Sequence, residues 1–183
     1  MNELFIYLSQ FSYLTQAQQD AIAQQATCVT LRKGDYFATQ LVGFVEAGVL
    51  RLCSYTEQGE ELTQFFIEEQ QLLLNIRRPE CATSSCLVQA ITDCRLVVFT
   101  MPQWQALAQV IPGWETIGQK ATAQLMREKL ERVLPLVPQN AAARYQYFLA
   151  THPQLANRVP LAYLASYLGM TQSSLSRIRK NIR

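Results

Sequence analysis

The chain of 183 residues lacks the patterns on which most enzymes and membrane proteins depend. It has a single histidine, His152, and it has no nucleophile elbow, no glycine-rich phosphate loop and no metal-ligand spacing. No uninterrupted apolar run reaches transmembrane length, and the first residues lack the basic segment of a signal peptide. We therefore expect a cytoplasmic protein that is not an enzyme, is not held in a membrane, and uses no metal or cofactor.

Cysteines are few and do not form a recognisable framework. There are five, an odd number, and none has Cys-x-x-Cys spacing. In a reducing compartment we expect free thiols, some of them in the core. The alternative is a metal site or a redox pair formed by Cys81, Cys86 and Cys94, although no histidine lies near them in the sequence.

Acidic residues are absent from the C-terminal part of the chain. Residues 1–131 carry nine Lys and Arg against fourteen Asp and Glu, a net charge of −5, whereas residues 132–183 carry seven Lys and Arg and no acid, a net charge of +7. This asymmetry predicts an anionic partner, such as double-stranded DNA. A phospholipid surface is the alternative, but the basic segment lacks the broad aromatic and leucine face of an interfacial helix.

Within the basic segment, residues 161–180 have the pattern of a DNA-binding helix-turn-helix. Two helices cross closely only where a small residue lies at the contact and a flexible one at the bend, and Ala165 and Gly169 meet both demands. We expect the motif to be anchored by apolar side chains, namely Leu161, Leu164, Leu168, Met170, Leu175, Ile178 and Ile182. The alternative is a solvated basic helix on an unrelated helical domain.

The second helix of this motif carries the residues that we expect to contact DNA. Thr171 is a suitable N-cap, because its hydroxyl can accept an amide hydrogen bond from the first turn. Arginine and glutamine read base edges in the major groove, while serine, lysine and the helix N-terminus hold phosphate. The predicted DNA-binding residues are Thr171, Gln172, Ser173, Ser174, Ser176, Arg177, Arg179 and Lys180.

The N-terminal part of the chain changes its apolar period. Residues 2–26 have helical steps, with a capping box at Thr15 and Gln18. Short strand-like segments with glycine at the turns then follow, which predicts an antiparallel barrel or jelly roll. These predicted strands are 29–31, 36–37, 44–46, 49–53, 62–67, 87–91 and 96–99.

A long helix is predicted over residues 114–134, ended by Pro135 and Pro138. Its apolar residues form two stripes that extend to the residues just beyond it, one of Trp114, Ile117, Ala121 and Leu125, the other of Met126, Leu130, Val133 and Val137. Either one stripe packs on the roll and the other on a partner, or both pack within one subunit. A further helix is predicted over residues 141–151.

The predicted fold class is α+β. An N-terminal antiparallel β-roll of the double-stranded jelly-roll type has flanking helices, and the long helix connects it to an all-helical helix-turn-helix domain. The predicted domains are residues 1–134 for the roll with its long helix, and residues 135–183 for the DNA-binding part.

This order of elements resembles the Crp/Fnr family of bacterial transcription regulators over almost the entire chain. The roll turns at 32–35, 44–52 and 58–61 look like the family's, and 171–180 resembles its recognition helix, with Arg177 at a characteristic arginine position. The resemblance implies a homodimer that docks two recognition helices into successive major grooves, one helical turn apart. It also implies RNA polymerase as a further partner.

In this family the long helix carries the dimer contact. The resemblance therefore implies an interface drawn from both stripes of residues 114–134. The expected interface residues are Trp114, Ile117, Ala121, Leu125, Met126, Leu130 and Val133.

The effector pocket departs from that of the nucleotide-binding relatives. Ser84 stands where they have the phosphate-binding arginine, and Leu73 and Leu74 lie where they have a Gly-Glu pair. A buried phosphate needs a cation to offset its desolvation, so we expect no tight binding of cyclic AMP or cyclic GMP. An altered pocket would be formed by Leu73, Leu74, Arg77, Arg78, Ser84, Ser85 and Cys86.

Two functions are consistent with these features. The first is a dimeric, sequence-specific DNA-binding transcriptional regulator. The alternative is a β-roll sensor or adaptor that binds a small molecule or a protein without DNA, its basic tail being merely solubilising. The effector, the operator sequence and the sign of regulation are not determined by the sequence.

Overall fold

The computed structural model describes residues 1–74, 86–136 and 139–182, apart from the side chain of Leu134. The helices in this part of the chain are α1 (Asn2–Ser9), α2 (Gln16–Gln25), α3 (Met101–Ala106), α4 (Trp114–Val133), α5 (Ala141–Thr151), α6 (Leu161–Tyr167) and α7 (Gln172–Asn181). The strands are β1 (Thr27–Leu31), β2 (Tyr36–Phe37), β3 (Leu41–Ala47), β4 (Leu50–Tyr55), β5 (Glu61–Ile67), β6 (Leu72–Leu73), β7 (Leu87–Ala90) and β8 (Cys94–Thr100). Short 3₁₀ helices follow α3 and α4.

The strands form two four-stranded antiparallel sheets, in the orders β1-β8-β3-β6 and β2-β7-β4-β5. The predicted α+β roll with flanking helices is confirmed, and each of the seven predicted strands has its counterpart. The structure adds β6, which pairs with β3. β6 lies in the uninterrupted apolar run 72–74, which has no alternating period to indicate a strand.

Local sequence signals place several helix starts. Thr15 and Gln18 form the expected capping box on α2, with the Thr15 amide donating to Gln18 Oε1 at 2.9 Å. Thr100 and Gln103 form a second one at α3. A capped helix therefore directly precedes the first strand of the roll, and another directly follows its last strand.

Gly48 makes the tight connection between β3 and β4 possible. Its φ is +99°, a conformation that L side chains rarely adopt. A Cβ at this position would lie 2.6 Å from Cys94 Sγ, and it would also overlap the carbonyl oxygen of Asp93. The turn thus brings the backbone of β4 directly against the start of β8.

Two apolar cores stabilise the roll. The space between the sheets is filled by side chains that include Phe37, Val45, Leu50 and Ile67. The helices α1, α3 and α4 cover the outer side of the first sheet, where Trp114 Nε1 donates to the carbonyl oxygen of Trp104 at 2.7 Å. This second core fixes the beginning of the long helix on the roll.

The C-terminal helices do not form a separate core. Phe148 and Leu164 belong to the same buried cluster as Val49, Phe66 and Ile91 of the roll. The predicted boundary after residue 134 falls in the 3₁₀ helix Leu134–Leu136, and the division at 134 into two domains stays a prediction. In the described part of the chain, no helix is both long enough and apolar enough to cross a membrane.

Candidate nucleic-acid interface

The helices α6 and α7 form the predicted helix-turn-helix. Leu164, Ala165, Leu168 and Leu175 are buried between them and α5. Gly169 at the bend has φ +65°, and the Met170 amide beyond it donates to the carbonyl oxygen of Ala165 at 3.0 Å. The small residue and the flexible residue therefore occupy the two positions that the crossing requires.

One anchoring residue was placed wrongly from the sequence. Ile182 was expected on the inward stripe, but 38% of its surface is exposed. It is the C-cap residue of α7, which ends at Asn181, and it lies at the rim of a groove with Tyr145 and Leu149. The helical period continues past the point where the rest of the domain can cover it.

Arg144 supports the turn from α5, a role that nothing in the local sequence pattern reveals. Its Nη1 donates to the carbonyl oxygen of Leu168 at 2.7 Å, and its Nε donates to that of Gln139 at 3.0 Å. The last carbonyls of a helix have no partner within the helix, so a cation there stabilises α6 where it ends.

Thr171 caps α7 as expected. Its Oγ1 accepts from the Ser174 amide at 3.2 Å, and it lies 2.8 Å from Ser174 Oγ and 3.0 Å from Ser173 Oγ. Part of this predicted DNA-binding set is therefore engaged in starting the helix. The cap holds the first turn of α7 in a defined conformation.

The remaining polar residues of α7 form a continuous surface. Gln172, Ser173, Arg177 and Lys180 are exposed, while Ser176 and Arg179 are half-buried. The last two line a shallow cleft of about 190 Å³ with Leu161 and Lys180. Within the described residues, none of the α7 cations forms an ion pair. This surface, called here the α7 basic face, thus presents unneutralised cations and hydroxyls to the outside.

Three of the expected effector residues are described, and each of them packs in or against the core of the roll. Leu73 is buried in the roll core, Leu74 lies against Gly118 of α4, and Cys86 is half-buried against the core. The Phe37 ring fills the interior so closely that a Cβ on Gly43 would lie 2.8 Å from it. Arg77, Arg78, Ser84 and Ser85 lie outside the described residues.

The cysteines of the metal or redox alternative are only partly described. Cys81 lies outside the described residues, and burial raises the pKa of the Cys94 thiol, whose Sγ donates to the carbonyl oxygen of Val49 at 3.4 Å. Among the residues that are described, no group of three or more His, Cys, Asp or Glu side chains is placed to hold a metal. The arrangement of Cys94 is that of a core residue.

The two stripes of α4 have different surroundings. Trp114, Ile117 and Ala121 are buried against their own roll, and their place in a dimer interface stays a prediction. Leu125 is half-buried beside Tyr7 and Gln10. Met126 is also half-buried, whereas Leu130 is 58% exposed and Val133 is 36% exposed, and Val137 lies outside the described residues. The second stripe is therefore the one left outside the subunit.

Acidic residues between β5 and β6 connect three parts of the molecule, a feature that sequence reasoning missed. Glu68 pairs with Arg132 of α4 at 2.9 Å, and Glu69 accepts two bonds from Arg158, which follows α5. The buried Lys129 ammonium donates to the carbonyl oxygen of Phe66. Burial, with a smaller contribution from Arg132, lowers the pKa of Lys129 to about 8. The roll, the long helix and the C-terminal helices thus meet at this turn.

Comparisons with known proteins identify the fold. No protein-family model matches the sequence, and no curated protein matches it. Among solved structures, FixK2 from Bradyrhizobium japonicum has a TM-score of 0.70 at 18% identity, over 86% of this chain and 84% of that one. A putative transcriptional regulator of the Crp/Fnr family from Eubacterium rectale has a TM-score of 0.71 at 15% identity, over 96% of this chain and 86% of that one.

A third similar structure is that of the c-di-GMP-responsive global regulator CLP of Xanthomonas campestris. Its TM-score is 0.69 at 12% identity, over 92% of this chain and 91% of that one. The chain therefore has the fold of Crp/Fnr regulators, as the order of its elements indicated.

Proposed function

We propose that the chain is a sequence-specific, DNA-binding transcription regulator. The observation that carries this proposal is the α7 basic face, which is exposed and unpaired on a helix that is capped and anchored as a helix-turn-helix requires. The similar solved structures support it, because the fold is one that transcription regulators use. Fold alone does not determine function, so the proposal depends on the site.

The α7 basic face has the chemistry of a major-groove reader. Arg177 and Gln172 can make paired hydrogen bonds to base edges, and Arg177 is exposed near the middle of the helix. Ser173, Lys180 and the cleft at Arg179 suit phosphate oxygens, which position the helix but carry little sequence information. Since each neutralised phosphate releases counterions, affinity should fall steeply as salt rises.

The proposed active species is a homodimer. Near the end of α4, the exposed Leu130 and Val133 and the half-buried Met126 lie where a second copy of the chain could cover them, and burying apolar surface of this size favours association. Two α7 helices would then read two half-sites related by a two-fold axis. RNA polymerase is a further proposed partner of the DNA-bound dimer.

We propose in addition that cyclic AMP and cyclic GMP are not tight ligands. Leu73 and Leu74 provide no carboxylate for a ribose hydroxyl, and the described residues that form the core between the sheets are apolar. Burying a nucleotide phosphate there would leave its charge without compensation.

The test is DNA selection with the purified protein, followed by binding measurements on the selected duplex. Arg177→Ala should lower discrimination at one base pair by about 1–3 kcal/mol, whereas Lys180→Ala should weaken all duplexes alike and reduce the salt dependence. Lys120→Ala is the matched control, because Lys120 is an exposed cation on α4, away from α7. If both α7 variants bind the duplex as the control does, the α7 basic face does not read DNA.

A further inference from the structure

The helix α6 covers the free edge of the second sheet. β5 is the last strand in the order β2-β7-β4-β5, so the backbone groups on its outer side have no neighbouring strand. Ser166 of α6 supplies the missing partners, because its hydroxyl accepts from the Thr63 amide at 2.9 Å and donates to the carbonyl oxygen of Glu61 at 3.3 Å. One side chain thus satisfies two edge groups that any shift of α6 would expose.

A buried cation lies beside this edge. Arg51 of β4 is 1% exposed, and its guanidinium donates to Glu61 at 2.5 Å, to Thr63 at 3.1 Å and to Gln89 at 2.7 Å. All three of these partners are residues of the sheet. The remaining face of the guanidinium lies 3.5 Å from the centroid of the Tyr163 ring of α6.

Tyr163 therefore closes the side of Arg51 that the sheet leaves open. A guanidinium stacks on an aromatic face only within a narrow range of positions. Because a buried charge that loses its partners is costly, the site resists displacement of α6. The contact between Arg51 and Tyr163 therefore restricts the orientation of α6 on the sheet as well as its distance from the sheet.

Two further contacts lie away from this point. Arg158 binds Glu69 through two bonds, at 2.6 and 3.1 Å, and the Tyr167 ring lies 5.1 Å from that of Phe66. Contacts at separated points oppose rotation of the C-terminal helices as well as sliding.

We propose that Arg51, Tyr163 and Ser166 are positioning residues. They set the orientation of α7 relative to the roll, and this orientation determines the half-site spacing that the protein accepts. The close crossing at Ala165 and Gly169 ties α7 to α6, and the three residues tie α6 to the sheet. This proposal rests on the proposed dimer, in which the two rolls are joined through α4. The distance between the two α7 helices is then determined by how each one is held on its roll.

The experiment uses the full chain and duplexes in which the two selected half-sites are kept and their separation is changed by one or two base pairs. The variants are Tyr163→Leu and Ser166→Ala. Tyr163→Phe retains the aromatic face, and Arg95→Met is the matched control, since it removes an ion pair with Glu46 on the other sheet. Affinity is measured by fluorescence anisotropy at one fixed salt concentration.

We expect the unaltered protein, Tyr163→Phe and Arg95→Met to lose about tenfold or more in affinity when the separation is changed. Tyr163→Leu and Ser166→Ala should lose less than about threefold, with binding to a single half-site unchanged. Equally steep loss in all proteins would overturn the proposed positioning role. No dependence on separation in the unaltered protein would instead refute the proposal that a dimer reads the DNA.

A second measurement keeps the proposal testable if a variant binds DNA poorly. Amide hydrogen exchange in the peptide containing Thr63 should speed up in Ser166→Ala, because the amide loses its acceptor, and should not change in Arg95→Met. Unchanged exchange in Ser166→Ala would show that α6 is not held on β5 in solution and would also overturn the proposal.

Discussion

Acidification should destabilise the C-terminal helices through one residue, the only histidine in the chain. His152 is 6% exposed at the end of α5, where its ring stacks on Phe148 with 5.0 Å between centroids. Its Nδ1 lies 2.8 Å from Thr151 Oγ1. Burial, and to a smaller extent the positive charges of Arg132 and Lys129, lower its pKa from 6.5 to about 4. The folded protein therefore holds the imidazole neutral.

The sign and size of the effect follow from linkage. Above pH 6.5 the imidazole is neutral in both the folded and the unfolded chain, so the stability associated with it is fully present. As the pH falls from 6.5 towards 4, the unfolded chain binds the proton more strongly, and stability is lost. The full loss is about 3 kcal/mol, at about 1.36 kcal/mol per pKa unit, and about 2 kcal/mol of it should be present at pH 5.

The assay is urea unfolding at pH 8, 6 and 5, monitored by far-ultraviolet circular dichroism. The matched variant is His152→Gln, which cannot take up the proton and should lose much less stability over this range. The pKa of Glu69 is lowered from its ordinary value of 4.5, and the hydrogen bond from Arg158 contributes to this. Protonation of Glu69 therefore also reduces stability in acid, but that loss begins only below pH 4.5. The interval between pH 6.5 and 5 therefore reports mainly on the histidine.

Direct titration of the single imidazole by NMR gives an independent measure. A midpoint near 6.5, or a free energy of unfolding that is the same at pH 8 and pH 5 in the unaltered protein, would refute the reasoning. Either result would mean that His152 is accessible to water and that α5 is not packed as described.

The remaining predictions concern packing. Gly48→Ala should destabilise the roll by about 3 kcal/mol or more, because the new Cβ meets Asp93 and Cys94, whereas Gly59→Ala, with open space around it, should cost only about 1 kcal/mol; thermal unfolding separates the two. Leu175→Ala should cost about 2–5 kcal/mol and reduce DNA binding, since the side chain is fully buried beneath α7. Leu130→Lys should leave the subunit folded but shift the protein to monomers in sedimentation experiments, and an unchanged dimer would contradict the proposed α4 contact.

Short-range patterns predicted the local elements well. The Ala165 and Gly169 positions identified the helix crossing, and the Thr15 and Thr171 caps lie where the sequence indicated. These features depend on residues within four or five positions of one another, so the sequence displays them directly. Ile182 shows the limit, because the helical period continues after the surroundings that would bury it have ended.

The two apolar stripes of α4 were only partly distinguishable in the sequence. Trp114 and Leu130 are both apolar helix residues, and nothing in their neighbours tells which one faces the roll. The first packs against Trp104 of α3, in a buried cluster that also contains residues of α1. Burial of this kind is a property of the assembled layers.

Caps, glycine turns, apolar periods and the absence of acids after Glu131 are local or additive features, so they predicted most of the helices and strands and the helix that carries unpaired cations. How the helix-turn-helix is held on the roll became visible only in the packed structure. Arg51 has the sequence signature of an ordinary strand residue, yet it is buried between its own sheet and Tyr163, which lies more than a hundred positions later in the chain. Contacts between residues so far apart depend on the packing of whole elements, and no local pattern encodes them.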